Sequence, residues 1–227
     1  MDIIFRFYFR IVPLICFFGY ILCTPVVADE ELNGARKILI EVTQKMFDEL
    51  NSQREKIKSD PELLKSLIKK NLEINVSIET ASRRVVGGKR WKIANDAQRK
   101  EFAREFRDLL LNFYSSGLRE YLRNANDELH MGIVKFGDPV RSRDNEQYAD
   151  VDCYFKLDDQ APYKVIYRMI HKQDRWKVYD VVIPQGSVVR NYRMQFRGKL
   201  RTSGIDGLID ALKKRNGELL SRVKQSE

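Results

Sequence analysis

The sequence predicts a single α+β domain: a roughly four-stranded antiparallel sheet packed with several helices from both the N- and C-terminal parts of the chain. Three observations predict it. Apolar residues recur at steps of three and four before residue 123 and again after residue 187. Between these helical stretches lies a block with the two-residue period of strands. The connections inside that block are short and rich in turn formers, which joins neighbouring strands antiparallel.

Residues 1–28 read as a cleaved export signal and are set apart from the fold. Arg6 and Arg10 give a positive start, 11–23 is apolar, and Val26-Val27-Ala28 places small residues before Asp29. A spanning anchor needs about 20 apolar residues, and Pro13, Gly19 and Pro25 interrupt this stretch. Bulky Leu22 argues against lipid attachment at Cys23. The remaining 199 residues, 29–227, are enough for one well-cored domain.

In the first helical stretch, 32–50, Leu32, Ala35, Ile38, Leu39, Val42, Met46, Phe47 and Leu50 make one apolar stripe. Asp60-Pro61-Glu62 starts a second helix, with Asp as cap and Pro at the first helical position. A third covers 76–86 and stops at Gly87-Gly88. The longest opens with Asn95 as cap and Gln98 at the reciprocal position. Phe102, Phe106, Leu109, Leu110, Phe113, Tyr114, Leu118 and Tyr121 then line one face, with a kink or close contact expected at Gly117. Such a face is either ordinary core or the wall of a cavity.

The strand-like runs are 128–136, 148–157, 163–171 and 176–183, separated by Gly137-Asp138-Pro139, Asp158-Asp159-Gln160 and Lys172-Gln173-Asp174. In the second run Ala149, Val151, Cys153, Phe155 and Leu157 alternate with polar neighbours, giving one buried and one wet face. The next two runs carry apolar residues on both faces. Two arrangements satisfy that pattern: helices on both sides of the sheet, or partial cover enclosing an apolar cavity. After Pro184, Ser187 caps a helix through about residue 200, Gly204 opens a last turn containing Leu208 and Leu212, and the tail beyond Asn216-Gly217 frays.

Composition narrows the chemistry. Cys153 is the one thiol outside 1–28, so the domain holds no internal disulfide. The net charge of the full chain is +9, with both signs interspersed along the helices. Such a surface suits anionic membranes or acidic partners; export and the absence of a nucleic-acid motif argue against DNA. The only histidines, His130 and His171, lie in expected strands and do not have metal-ligand spacing. Neither a nucleophile elbow nor a phosphate loop is present. Asp150 and Asp152 form a same-face carboxylate pair, read as solvated acids, and Cys153 falls on the apolar face as a small hydrophobe. No catalytic residue, metal or cofactor is expected.

Two blocks carry a resemblance. The first is Gly88-Lys89-Arg90-Trp91 followed by Gln98-Arg99, Phe102, Phe106, Leu109-Leu110 and Tyr114. The second is Trp176-Lys177-Val178, Asp180-Val181, Ile183, Ser187, Val189, Asn191-Tyr192-Arg193 and Gln195-Phe196, ending near Gly204, Leu208 and Leu212. In order and spacing the chain resembles the MlaC family (toluene-tolerance or ABC-transporter auxiliary proteins) across most of residues 32–215. It departs at Pro184-Gln185-Gly186, where the family commonly has Glu-Gly, which puts that turn in doubt.

The resemblance implies a periplasmic phospholipid carrier of Gram-negative bacteria, monomeric and non-enzymatic, whose sheet and helices enclose acyl tails. It implies shuttling between an outer-membrane lipoprotein–porin complex and an inner-membrane ABC transporter with a lipid-binding ring. Two tails of about fourteen methylenes represent on the order of 20 kcal/mol against free passage through water. The expected radius of gyration, roughly 16 Å, accommodates tails as long as one leaflet, about 15 Å. Pattern and resemblance together nominate Val151, Cys153, Phe155, Val165, Tyr167, Met169 and Val178 on the strands, with Phe106, Leu110 and Tyr114 on the long helix. Arg90 and Arg193 are head-group candidates, against surface or salt-bridge roles, and Tyr192 and Phe196 are expected to pack the last helix on the sheet. Two rival readings are a periplasmic assembly adaptor with a filled core and a small-molecule enzyme with converging polar groups.

Overall fold

The computed structural model describes residues 26–124, 128–142, 145–156 and 161–225. Its elements run α1 (Val26–Ser52), α2 (Arg54–Ser59), α3 (Pro61–Asn75), α4 (Ile78–Val86), α5 (Gly88–Ile93) and α6 (Asp96–Asn124). A 3-10 turn (Met131–Ile133) leads to β1 (Val134–Ser142), β2 (Asn145–Phe155), β3 (Tyr163–Lys172), β4 (Arg175–Ile183), β5 (Gly186–Ser187) and α7 (Val188–Gln225). The chain divides into two compact units, Met1–Glu31 and Leu32–Glu227. The apolar run 11–23 and Leu157 lie outside the described residues. No helix among the described residues is long and apolar enough to cross a membrane.

Local chemistry sets several boundaries. The Asp60 carboxylate accepts the N–H groups of Glu62 and Leu63 at 3.0 and 3.2 Å, with Pro61 at the first helical position. At the start of α6, the Asn95 N–H donates to Gln98 Oε1 at 3.0 Å, and the Gln98 N–H donates to Asn95 Oδ1 at 2.9 Å. That is the reciprocal box the sequence predicts. Gln173 and Asp174 both have positive φ, 52° and 56°, and close the β3–β4 hairpin in the sense that matches strand twist.

Five strands pair antiparallel in the order β1-β2-β3-β4-β5, one more than expected. The addition is the two-residue β5, which folds back on Val182 and Ile183 where the chain departs from the family pattern. Gly186 there has φ 112°, a conformation that favours glycine.

Other expectations are corrected. Gly137-Asp138-Pro139 is not a turn: it lies within β1, at a register shift between Phe136 and Pro139. β1 is the edge strand, where a missing N–H costs least. The first strand begins at Val134 and leaves His130 outside it. The third expected helix, α4, stops at Val86 with Gly87 as its C-cap, as expected, but a further short helix, α5, follows at once and buries Trp91. A Cβ at Gly117 would meet nothing within 4 Å, so no close contact explains it, and α6 runs through it. The last helix continues past Asn216 to Gln225, kinked at Gly204 (φ 66°, ψ −165°).

Three apolar clusters hold the unit together. One joins α4, α5, α6 and α7 around Phe102, Phe106, Phe196 and Leu212. A second packs Ala35 and Leu39 of α1 with Val151, Cys153, Met169 and Trp176 of the sheet. The third gathers Leu50, Ile57, Leu64, Leu111 and Leu122 from α1, α2, α3 and α6. Tyr192 and Phe196 pack on α6, not on the sheet: Tyr192 meets Phe106 edge-on at 5.2 Å, and Phe196 meets Phe102 at 6.5 Å.

Candidate functional site

Strand register gathers the strand candidates. Val151 pairs with Tyr167, Cys153 with Val165, Phe155 with Tyr163, and Met169 with Val178. Directly opposed residues share a face, so Val151, Cys153, Phe155, Val165, Tyr167, Met169 and Val178 form one apolar surface. Its cover changes along the strands. Ala149, Val151, Cys153 and Met169 are fully buried in the α1 cluster, with Gly34 of α1 close enough that a Cβ would lie 3.4 Å from the Trp176 ring. Phe155, Val165, Tyr167 and Val181 are half-buried, and Tyr163 is 53 % exposed. The apolar face is sealed at one end and open at the other.

Helix α6 contributes in two ways. Phe106 and Leu110 are buried in the helical cluster, apart from the sheet candidates. Tyr114 is 43 % exposed and neighbouring Phe113 62 % exposed, so the predicted stripe leaves the core at this point. Desolvation pushes the Tyr114 hydroxyl up to about 12, with smaller contributions from Tyr192 and Asp180. Desolvation also raises the Tyr167 hydroxyl, and Cys153 and Tyr114 add to it. Tyr114 and Tyr167 therefore lie within electrostatic reach of each other. Both keep accessible surface while both are poorly hydrated, as side chains walling a cleft would be.

The opposite face of the sheet carries ion pairs beside Ile166, Val182 and the buried Ile170. Arg168 reaches Asp180 at 3.3 Å and Asp150 at 3.7 Å, and Lys164 reaches Asp152 at 2.7 Å. These ion pairs occupy the two carboxylates that the sequence sets on one strand face. Buried Asp180 also accepts the Ser187 hydroxyl at 2.6 Å and the Val189 N–H at 3.0 Å, so it fastens the start of α7 to β4. Ser187 Oγ in turn accepts the Arg190 N–H at 3.0 Å, the cap expected there. Arg84 lies 5.1 and 4.4 Å from the ring centroids of Tyr148 and Tyr179. Arg90 and Arg193 line a groove with Arg168, Tyr179 and Asp180, and so do not join the apolar strand candidates.

Reactive groups are scarce. Cys153 is a free, fully buried thiol pushed up to about 12 by burial first and Asp152 second, which keeps it protonated and inert. No group of three or more His, Cys, Asp or Glu among the described residues could hold a metal ion. The features sequence reasoning missed are Asp180 as a buried anchor and the arginines around it. Only the Ser187 cap hinted at the first.

Fold and site together define an α+β domain whose sheet presents an apolar, partly open wall on one face and ion pairs on the other. The chain belongs to the MlaC protein family, which matches residues 40–214. Among curated relatives, the intermembrane phospholipid transport system binding protein MlaC of Haemophilus influenzae is 27 % identical over 179 residues, covering 76 % of this chain and 77 % of that protein. The toluene tolerance protein ttg2D of Pseudomonas putida is 25 % identical over 164 residues, covering 72 % of each. A solved phospholipid-binding protein from Ralstonia solanacearum, in complex with a phospholipid, shares the fold with a TM-score of 0.68 at 19 % identity. That match covers 82 % of this chain and 98 % of the other.

Proposed function

We propose that this chain is a non-enzymatic phospholipid carrier, exported to the periplasm after removal of residues 1–28, which moves phospholipid between the outer and inner membranes. The observation that carries the reading is the apolar sheet face left open along Phe155, Val165 and Tyr167, with Tyr114 of α6 in electrostatic reach. The names of the relatives, a phospholipid transport binding protein and a phospholipid-bound fold neighbour, support lipid as cargo. Acyl tails would lie on the open part of the face, against Val165, Tyr167 and Tyr114. Val151, Cys153 and Met169 would form the floor beneath them, with Phe155 and Val178 beside it, and Phe106 and Leu110 would hold α6 in place from behind. Its docking sites would be an outer-membrane lipoprotein–porin complex and an inner-membrane ABC transporter carrying a lipid-binding ring.

The adaptor reading keeps one observation in its favour: α1 fills the other end of the same face, around Ala149 and Met169. Uptake from vesicles separates the two. The chain expressed from its full coding sequence and purified without detergent is mixed with vesicles containing a fluorescent phospholipid, then separated by flotation. Lipid in the protein fraction supports the carrier; a protein that never acquires lipid contradicts it.

A further inference from the structure

The ion-paired face of the sheet carries a second feature, apart from the apolar wall. A groove of about 680 Å³ runs between α4, α5, α7 and β4, and six arginines line it: Arg84, Arg90, Arg168, Arg190, Arg193 and Arg197. Two of the six are engaged. Arg168 is paired with Asp150 and Asp180, and Arg84 lies by the rings of Tyr148 and Tyr179. The other four are exposed and have no carboxylate within 4 Å among the described residues. Asp180, the acid inside the groove, is already taken up by Arg168, Ser187 and the start of α7. The groove therefore presents uncompensated positive charge over a floor that includes buried Val85, Val86, Val189 and Leu200.

We propose that this groove docks an acidic polypeptide segment that also carries apolar side chains. Arg190, Arg193 and Arg197 follow steps of three and four, so they project from one face of α7. They span roughly 10 Å of helix axis. Charges spread over that length do not converge on one point, as a single phosphate would require. They also sit in a concavity with Arg90 on a different helix, which a planar membrane surface cannot enter. A chain segment can follow the groove, meeting guanidinium forks with its carboxylates and the valine and leucine floor with its apolar side chains.

The groove is separate from the tail wall. Arg168 stands between Tyr167 and Met169 in the strand, and successive strand residues point to opposite faces. A docked segment and a held lipid would occupy opposite sides of the sheet. The inference goes beyond the carrier reading and stands without it.

The test uses the full chain and a short fluorescein-labelled peptide of glutamate and leucine repeats, read by fluorescence anisotropy, with a lysine–leucine peptide as control. Wild type is expected to bind the acidic peptide and not the basic one. Binding should weaken as salt rises from about 20 to about 300 mM, across which the Debye length falls severalfold. Arg190→Glu with Arg197→Glu should weaken it roughly tenfold or more, whereas Arg190→Lys with Arg197→Lys should keep most of it. If the double reversal fails to fold, Arg197→Glu alone, beyond the capped first turn of α7, carries the test. Unchanged affinity in a folded charge-reversed chain would overturn the proposal. So would arginine-dependent flotation with phosphatidylglycerol vesicles by a chain that binds no peptide. Lipid carried per chain and uptake from vesicles are measured alongside: peptide binding by a protein that neither carries nor acquires lipid sinks the carrier reading and leaves this one standing.

Discussion

Asp180 is the residue on which sheet and C-terminal helix meet, and its removal has a calculable cost. Asp180→Ala deletes the acceptor of the Ser187 hydroxyl at 2.6 Å and of the Val189 N–H at 3.0 Å, both in buried surroundings. Losing a helix-start acceptor costs about 1 kcal/mol, and stranding buried donors costs about 1–3 kcal/mol. The Arg168 pair adds little, on the order of 1 kcal/mol at most, because that side chain is 39 % exposed and keeps Asp150 nearby. The total is about 3 kcal/mol. For a domain of this size each kcal/mol moves the melting temperature by about 2–4 °C. Thermal unfolding followed by circular dichroism should therefore show a drop of roughly 6–12 °C. Asp180→Asn retains one acceptor and should lose about half as much. A melt within about 2 °C of wild type for Asp180→Ala would mean that this buried network does not anchor α7.

Three further outcomes follow from the same geometry. Val165→Asp puts a charge on the open part of the apolar face and should at least halve the lipid carried by the folded protein; unchanged occupancy would remove Val165 from the site. Cys153 should resist iodoacetamide near pH 8 in the native protein and react on denaturation, because burial holds the thiol protonated; rapid native labelling would show that the sheet face opens to solvent. Burial, outweighing Arg168, raises the Asp150 carboxyl above its usual range. The folded chain then binds more protons than the unfolded one across that window, so this group's contribution to stability grows as pH falls through it. Asp150→Asn should melt no lower than wild type near pH 7, with the difference shrinking towards about pH 4. A clear loss of stability in the asparagine variant near pH 7 would reverse that sign.

What was legible in the sequence was what neighbouring residues decide. The Asp60 and Asn95 caps, the alternation in β2 and the β3–β4 turn each depend on a few adjacent side chains, and each formed as expected. Helices α2 and α5 are six residues apiece, too short to show a period. Pro139 reads as a turn former until β1 is known to be an edge strand. Asn216-Gly217 reads as a helix end, but the Asn216 amide donates to the backbone oxygen and the carboxylate of Glu105, at 3.0 and 2.9 Å, across 111 residues of chain. The candidate site divides the same way. Period-two alternation in β2 and β3 put the strand candidates on one face, but which part of it α1 covers is a tertiary fact. The arginine groove was invisible because its six members come from residues 84 to 197 and converge only in the fold.

The central claim is that this domain carries phospholipid, and the most direct measurement is organic extraction and mass spectrometry of the protein purified in native buffer without detergent. The account predicts phospholipid at close to stoichiometric amounts, reduced in Val165→Asp and retained in Arg190→Glu with Arg197→Glu. Lipid-free protein in repeated preparations, together with no uptake from added vesicles, would contradict it.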